Sequence, residues 1–131
     1  MKITIITPSF NSSKVILSCI ESVKNQTFKD IEHIIVDGKS TDGTLDIINK
    51  YAANKNFYKV IVICERDKGI YDALNKGIKI SSGDIIGILH SDDFLAESST
   101  LEKINKKFNE NNNCDGVYGN IEFSYKKKRA I

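Results

Sequence analysis

The sequence lacks the features of a secreted or membrane-spanning protein. It has only three cysteines, Cys19, Cys64 and Cys114, and no two are close in sequence, which argues against both a disulfide framework and a zinc cluster. No apolar run approaches the roughly 18 residues that cross a bilayer, and residues 1–7 are too short and too β-branched to form the core of a signal peptide. We therefore predict buried free thiols and a cytoplasmic location.

The sequence also lacks the excess of positive charge that is typical of nucleic-acid-binding domains. The formal net charge is +2, and four of the 19 basic residues lie in the C-terminal run 126–129, which leaves 15 basic against 17 acidic residues, or −2, elsewhere. We therefore predict no nucleic-acid partner. The basic run fits either a solvated chain end or peripheral contact with the anionic inner face of a membrane.

Two nucleotide-binding signatures are missing as well. A dehydrogenase of the Rossmann type needs a glycine-rich turn after its first strand, and residues 7–13 contain no glycine. A complete P-loop motif is also absent. These absences argue against a dehydrogenase and against a P-loop nucleotidase.

The sequence does contain a regular alternation of β-branched apolar runs and segments with helical periodicity. Consecutive apolar residues are typical of strands that are buried on both faces, as in parallel sheets covered by helices. The alternation predicts one α/β domain over residues 1–131, with a Rossmann-like, doubly wound and mostly parallel sheet flanked by helices. The predicted strands are Ile3–Thr7, Ile31–Val36, Tyr58–Cys64, Ile85–Leu89 and one or two more within Val117–Tyr125.

Polar residues suited to capping precede the predicted helices. The expected N-terminal residues are Ser12 or Ser13 for the first helix, Thr41 or Asp42 for the second, and Ser99 with its capping-box partner Glu102 for the fourth.

Carboxylates recur just after the predicted strands, at the edge where open parallel sheets bind ligands. Two ionised carboxylates such as Asp92 and Asp93, ~4 Å apart, repel by ~1 kcal/mol in water and by ~4 kcal/mol at an effective dielectric constant of about 20. A Mg²⁺ ion with diphosphate oxygens would offset that repulsion, whereas the alternative is an Asp-Asp turn that opens a helix. Asp37 is likewise either a hydrogen-bond acceptor for a nucleotide or part of an Asp-Gly turn.

Four segments, taken in order, resemble the pattern of family 2 glycosyltransferases with the GT-A nucleotide-sugar-binding fold. They are Thr7–Asn11 (TPSFN), Val36–Thr44 (VDGKSTDGT), Asp67–Gly77 (DKGIYDALNKG), and Gly83–Ile86 (GDII) with Ser91–Asp93 (SDD). The resemblance covers residues 1 to about 120. Each motif alone is weak, but the ordered set is highly specific.

The resemblance implies a donor site and a reaction. Pro8 and Phe10 would border the nucleobase, Asp37 would hydrogen-bond it, Lys68 would face the phosphates, Asp92 would lie towards the ribose or sugar, and Asp93 would bind Mg²⁺ or Mn²⁺. The expected partners are a nucleoside-diphosphate sugar, with a UDP-sugar favoured, and a glycan or lipid-linked acceptor. The expected reaction is sugar transfer to an acceptor hydroxyl with inversion, helped by a carboxylate base, in polysaccharide or glycan biosynthesis.

Two departures limit what the resemblance implies. Lys39 stands where the family often has Gly or Ser, and no acidic pair follows Asp93 where the general base usually lies, so we assign no catalytic base. The chain ends in or just after a β-like stretch, which favours a piece of a longer protein that stops before the acceptor-binding part. The alternative reading is therefore a nucleotide-sugar-binding module without transfer activity.

Overall fold

The computed structural model of the protein describes residues 1–111, 113–119, 123–125 and 128–130. Its main sheet consists of four parallel strands, which are β1 (Ile3–Ser9), β2 (Ile31–Asp37), β3 (Lys59–Cys64) and β4 (Ile85–Ile88). Their order across the sheet is β3-β2-β1-β4. A separate antiparallel pair is formed by β5 (Phe123–Tyr125) and β6 (Lys128–Ala130).

Helices cover both faces of the main sheet, as the alternating pattern predicts. They are α1 (Ile16–Lys24), α2 (Thr44–Ala53), α3 (Ile70–Ile80) and α4 (Thr100–Glu110). Buried side chains of α1, α2 and α4 pack against one face, and α3 packs against the other. The predicted doubly wound, mostly parallel sheet is therefore confirmed. No helix in the described ranges is long and apolar enough to cross a bilayer.

The two central strands form the core of the molecule. All seven residues of β1 and all seven of β2 are buried, as expected for strands with helices on both sides. On the α3 face, a Cβ atom added at Gly77 would lie only 2.6 Å from Ile6 Cγ2. Glycine at this position therefore lets α3 approach the sheet closely.

The strand at one edge of the sheet is less well covered. In β4, Ile86 is 43% exposed and Ile88 is 51% exposed, so the expectation that this strand is buried on both faces is wrong. The physical reason is position, because α3 lies over β1 and β2, and β4 is the last strand of the described sheet on that side.

A buried carboxylate ties the loop before β4 to the middle of the sheet. Glu32 on β2 accepts hydrogen bonds from Thr4 Oγ1 at 2.7 Å, Ser82 N at 2.6 Å and Ser82 Oγ at 2.8 Å. Although burial acts in the opposite direction, these hydrogen bonds hold the pKa of Glu32 below its ordinary value. This network lies at the amino ends of the strands.

The predicted helix caps are mostly wrong. Helix α1 begins after Val15, and neither Val15 nor Ser99 makes a side-chain capping bond. Glu102 accepts a hydrogen bond from Thr27 Oγ1 at 2.9 Å, so the capping box does not form. Glu102 is used in a contact between elements instead, and Ser99 Oγ donates locally to Glu97 Oε2 at 3.3 Å.

Strand boundaries differ from the predicted ones by one or two residues. Within the predicted strand region Val117–Tyr125, residues 117–119 form no strand, and 120–122 lie outside the described residues.

Candidate functional site

Polar loops follow the carboxyl ends of the strands and meet at one edge of the sheet. Ser9 at the end of β1 pairs in register with Asp37 at the end of β2, which pairs with Cys64 at the end of β3. The loops that begin after these residues therefore lie side by side. This is the edge at which open α/β sheets bind ligands.

Asp37 is the buried centre of this edge. Its carboxylate is fully buried and accepts hydrogen bonds from Ser9 Oγ at 2.8 Å, Ser40 N at 2.8 Å and Ser40 Oγ at 2.6 Å. Three protein donors offset the cost of burying this charge. Asp37 thereby holds the loops after β1 and β2 together.

Further hydrogen bonds cross between the same two loops. Asn11 N donates to Ser40 Oγ at 2.8 Å, and Thr41 N donates to Asn11 Oδ1 at 2.9 Å. Asp42 accepts bonds from Thr44 and from Ser13 N. These bonds, led by that of the Thr44 side chain, hold the pKa of Asp42 below its ordinary value, and the bond from Ser13 N ties the loop after β1 to the loop after β2.

The turn after β2 keeps a glycine-like conformation without glycine. Lys39 has a φ of 64°, in the left-handed region, where residues with a Cβ are disfavoured by roughly 1–2 kcal/mol. The departure from the family pattern at Lys39 is thus accommodated by backbone strain and leaves the turn in place.

Phe10, Gly38 and Asp67 come together in a way that the sequence did not reveal. The Phe10 side chain is 62% exposed, and a Cβ atom added at Gly38 would lie 2.9 Å from Asp67 Oδ2 and 3.3 Å from Phe10 Cδ1. Asp67 Oδ1 accepts a hydrogen bond from Gly69 N at 3.0 Å. An exposed aromatic ring and a carboxylate therefore flank the same backbone position. Pro8, by contrast, is buried within β1 opposite Val36.

The segment after β3 is fastened to the start of α3. Lys68 N donates to Asp72 Oδ2 at 2.9 Å, and this bond, followed by the charge of Lys76, lowers the pKa of Asp72. Lys76 Nζ donates to Arg66 O at 2.8 Å. The Lys68 side chain is exposed, and within the described ranges its ammonium forms no ion pair.

Asp92 and Asp93 lie in an exposed turn after β4. Asp93 N donates to His90 O at 3.0 Å, and Ser91 Oγ is 2.9 Å from Ser12 Oγ, which links the turn to the loop after β1. Burial raises the pKa of the nearby Cys19 thiol to about 11, and the charges of Asp93 and Asp92 act in the same direction.

The donor set of this turn fits a hard divalent cation that also binds a diphosphate. In the part of the chain that the structure describes, no group of three or more His, Cys, Asp and Glu side chains could enclose a metal. Mg²⁺ in nucleotide sites commonly takes one or two carboxylates and completes its coordination with phosphate oxygens and water. Asp92 and Asp93 match that requirement.

A buried amide fixes the segment that follows the turn. Gln26, just after α1, donates from Nε2 to Glu97 O at 2.7 Å and accepts from Leu101 N at 3.0 Å. Ser22 Oγ accepts from Leu95 N at 3.0 Å. The end of α1 therefore holds the chain from residue 95 to residue 101, directly downstream of Asp93.

Three carboxylates after Asp93, those of Glu97, Glu102 and Glu110, are engaged in contacts away from the turn. Glu97 lies in an ion pair with Lys103, and Glu110 pairs with Lys106 at 3.9 Å. Glu102 binds Thr27, as described above. None of these contacts directs a carboxylate towards the carboxyl edge of the sheet.

A buried histidine lies beneath the loops. His33 Nε2 is 2.8 Å from Thr7 Oγ1, and His33 Nδ1 is 2.8 Å from Tyr51 Oη, which is 2.8 Å from Tyr58 Oη. Burial lowers the pKa of His33 to about 3, so the ring is neutral near pH 7. Its partners are all protein groups, and its role is structural.

Comparisons with known proteins agree with this geometry. Residues 4–131 match the family model described as Glycosyl transferase family 2. The chain is 38% identical over 118 residues to a PGL/p-HBAD biosynthesis glycosyltransferase of Mycobacterium bovis, across 90% of this chain and 46% of that protein. It is 38% identical over 127 residues to a poly(ribitol-phosphate) beta-glucosyltransferase of Bacillus spizizenii, across 93% and 19%.

A solved structure is similar as well. Superposition on S. aureus TarS in complex with UDP-GlcNAc has a TM-score of 0.77 and 28% sequence identity, and it covers 91% of this chain and 37% of that one. The chain spans less than half the length of these relatives.

Proposed function

This chain belongs to glycosyl transferase family 2 and has the GT-A fold, and from that premise we propose that it is the donor-binding part of a sugar-transferring enzyme. The reaction would move a sugar from a nucleoside diphosphate, with a UDP-sugar favoured, to a hydroxyl of a glycan or lipid-linked acceptor, with inversion. The proposed setting is polysaccharide or glycan biosynthesis in the cytoplasm, at the inner face of the membrane. The prediction of buried thiols is correct for Cys19 and wrong for Cys64, which is exposed because it ends β3 at the edge of the sheet. An exposed free thiol is consistent with a reducing compartment.

The observation that carries the proposal is the meeting of four polar loops at one sheet edge. The exposed aromatic ring of Phe10 lies in the loop after β1, beside the turn with Asp92 and Asp93, and the exposed cation Lys68 lies in the loop after β3, further along the same edge. The Ser12–Ser91 contact joins the first loop to that turn. This combination of an aromatic ring, a lysine and two carboxylates is suited to bind a nucleobase, a diphosphate and a divalent cation.

Within that site we assign roles to individual residues. Phe10 and Pro8 would border the base, and Asp37 would hydrogen-bond it. Lys68 would face the phosphates, and Asp92 would lie towards the ribose or sugar. The residues assigned to the base follow β1 and β2 in the middle of the edge, with Lys68 after β3 on one side and Asp92 after β4 on the other.

Asp93 would hold a Mg²⁺ or Mn²⁺ ion together with the diphosphate of the donor. Such an ion, when bound, neutralises the charge that develops on the nucleoside diphosphate as it leaves. The protein's own contribution is to present two carboxylates in a turn that is pinned by Ser12 on one side and by Gln26 downstream.

A nucleotide-sugar-binding module without transfer is the second candidate function. One observation favours it, namely that three of the four described carboxylates after Asp93 bind Lys103, Thr27 and Lys106. None of these three is placed to accept a proton from an acceptor hydroxyl. Slow hydrolysis of UDP-GlcNAc separates the two candidates, because an active core should release UDP and a binding module should not.

The first experiment is calorimetric titration of UDP and GDP, with and without Mn²⁺, on the wild type, Asp93→Ala and Asp30→Ala. We expect Mn²⁺ to strengthen UDP binding by about tenfold or more, which is ~1.4 kcal/mol. Asp93→Ala should remove that gain. Asp30→Ala, which deletes an exposed carboxylate before β2, should retain it. The proposal fails if the folded chain binds no nucleotide under any metal condition.

A further inference from the structure

An aromatic ring is exposed at the end of the sheet opposite the candidate site. Phe57 lies between α2 and β3, and its side chain is 86% exposed. The next residue, Tyr58, packs against the core, and its Oη lies 2.8 Å from Tyr51 Oη. Tyr58 therefore anchors this segment, whereas the Phe57 ring contributes little to the core. Burial of such a ring against a partner would be favourable.

Lysines surround the exposed ring. Lys29 Nζ lies 5.5 Å from the centre of the Phe57 ring, which is within the range of a cation–π contact, and it donates to Lys24 O at 2.8 Å. Lys55 and Lys59 lie two residues before and two residues after Phe57, and both are exposed. In the part of the chain that the structure describes, neither of these two forms an ion pair. Phe57, Lys29, Lys55 and Lys59 form the Phe57 patch.

Helix dipoles explain other lysines at this end of the molecule but not the Phe57 patch. A lysine in the last turn of a helix interacts favourably with the helix dipole, and each of the four helices has one, at Lys24, Lys50, Lys79 and Lys107. Lys55 and Lys59 lie beyond the end of α2, and the exposure of Phe57 has no relation to a dipole. The patch therefore needs another explanation.

The two ends of the sheet differ in their exposed charge. Near the patch Asp30 is exposed, but Glu32 is buried and pairs with Lys2 at 3.7 Å. The carboxyl edge instead presents the exposed carboxylates of Asp92 and Asp93. An anionic surface is therefore attracted to the patch and repelled by that turn, which favours one orientation of the protein.

We propose that the Phe57 patch docks the protein on an anionic phospholipid surface, with the lysines at the headgroups and the ring inserted between them. Lysines close to a bilayer are attracted to anionic lipids, and apolar side chains next to them enter the interface. A single-stranded nucleic acid fits less well, because such ligands stack successive bases on several aromatic rings. This inference rests on the membrane setting of the proposed function and is independent of donor binding.

Docking by this end directs the donor site away from the lipid. Strand β2 has seven residues, and at ~3.3 Å per residue it separates the two edges of the sheet by roughly 20 Å. A nucleotide at the carboxyl edge would not touch the bilayer. Vesicle binding and nucleotide binding can therefore be measured separately.

The first test uses the absence of tryptophan from the chain, because Phe57→Trp then introduces a single fluorescent reporter. We expect its emission to shift to the blue with vesicles of phosphatidylglycerol and phosphatidylcholine, and to stay unchanged with phosphatidylcholine alone. Tyr71→Trp, at a position that is 84% exposed at the start of α3, is the matched control and should show no shift. Equal shifts in both variants, or none in Phe57→Trp, would overturn the inference.

Co-sedimentation with the same vesicles measures the contribution of each side chain. Lys55→Glu and Lys59→Glu should each lower the partition coefficient by about fivefold or more at low salt, and Phe57→Ala should lower it severalfold. Lys14→Glu makes the same change of charge at an exposed position in the loop after β1 and should change the coefficient by less than about twofold.

The remaining outcomes are distinguishable. An equal loss in Lys14→Glu, or unchanged partition of Phe57→Ala, would overturn the inference, and so would binding of poly(U) without binding of anionic vesicles. Titration of UDP with Mn²⁺ on Lys55→Glu should give the wild-type affinity. If the wild type bound anionic vesicles but no nucleotide, the donor site would be wrong and the docking surface would stand.

Discussion

The two sides of the candidate site are built differently. On the base side, the loops after β1 and β2 are interlocked through Asp37, and Asn11 bonds across to Thr41. On the metal side, Asp92 and Asp93 are exposed, and the turn that carries them is fixed mainly by the Asp93–His90 backbone bond and the Ser12–Ser91 contact. The base side is therefore held by many protein contacts, whereas the turn on the metal side is held by few.

The sheet explains this difference. The base side grows from β1 and β2, whose residues are all buried, whereas the metal side grows from β4, where Ile86 and Ile88 are exposed. Order in a loop depends on the stability of the elements that carry it. Preorganisation reduces the free-energy cost of binding. The base side is therefore suited to select its ligand, and the metal side is suited to become ordered when a ligand binds.

The largest expected effect is the loss of the Asp37 carboxylate. Asp37→Ala leaves buried donors of Ser9 and Ser40 without their acceptor, and we expect the free energy of unfolding to fall by about 2–4 kcal/mol. Asp92→Ala should change it by less than about 0.5 kcal/mol, because that side chain is exposed. Urea unfolding of both variants measures the contrast. Equal losses would show that the two sides do not differ.

The second-largest expected effect is a fall in the free energy of unfolding in acid, which arises from His33 beneath the base-side loops. His33 has a pKa of about 3 when folded against an ordinary 6.5, so the unfolded chain binds the extra proton and stability falls as the pH drops below 6.5. The loss between pH 6.5 and pH 4.5 should be about 2 kcal/mol. Urea unfolding at several pH values, compared with His33→Gln, isolates the contribution. An identical pH dependence in the variant would contradict it.

A substitution at Gln26 should loosen the metal side and leave the base side unchanged. Gln26→Ala removes the bonds to Glu97 O and Leu101 N, which should cost about 1–2 kcal/mol of unfolding free energy. We also expect the Mn²⁺-dependent gain in UDP affinity to shrink severalfold while metal-free binding is unchanged. Ser82→Ala, at the opposite edge of the sheet, is the control for destabilisation without an effect on the metal. A reduced gain in that control would count against a local role for Gln26.

The smallest expected effect is an increase in the free energy of unfolding from a substitution on the base side. Lys39→Gly relieves the left-handed backbone at φ 64° and should raise the free energy of unfolding by about 0.5–1 kcal/mol, since part of the benefit is lost to the greater entropy of glycine in the unfolded chain. Lys39→Ala keeps the strain and should show no gain. Thermal unfolding of the pair provides the comparison.

The sequence predicted what depends on local patterns. The β-branched runs from Ile3 and from Ile31 identified the central strands, and the alternation with helices placed Asp37 and Asp93 at the same edge. It did not predict that Asp67 would lie against Gly38, because that contact depends on the register between β2 and β3 and on the path of a loop. The Ser99 cap failed because Glu102, its partner, is used by Thr27, a residue distant in sequence.

The order of the strands also has a consequence for how the protein folds. The pairing at one end of the sheet joins β1 to β4, so residue 3 lies beside residue 85, whereas the central strands β1 and β2 are separated in sequence by a single helix. Contacts between distant parts of a chain form slowly, because a long loop must close before they contribute. We therefore expect the β1-α1-β2 unit to assemble early and the turn with Asp92 and Asp93 to take its place among the last events of folding.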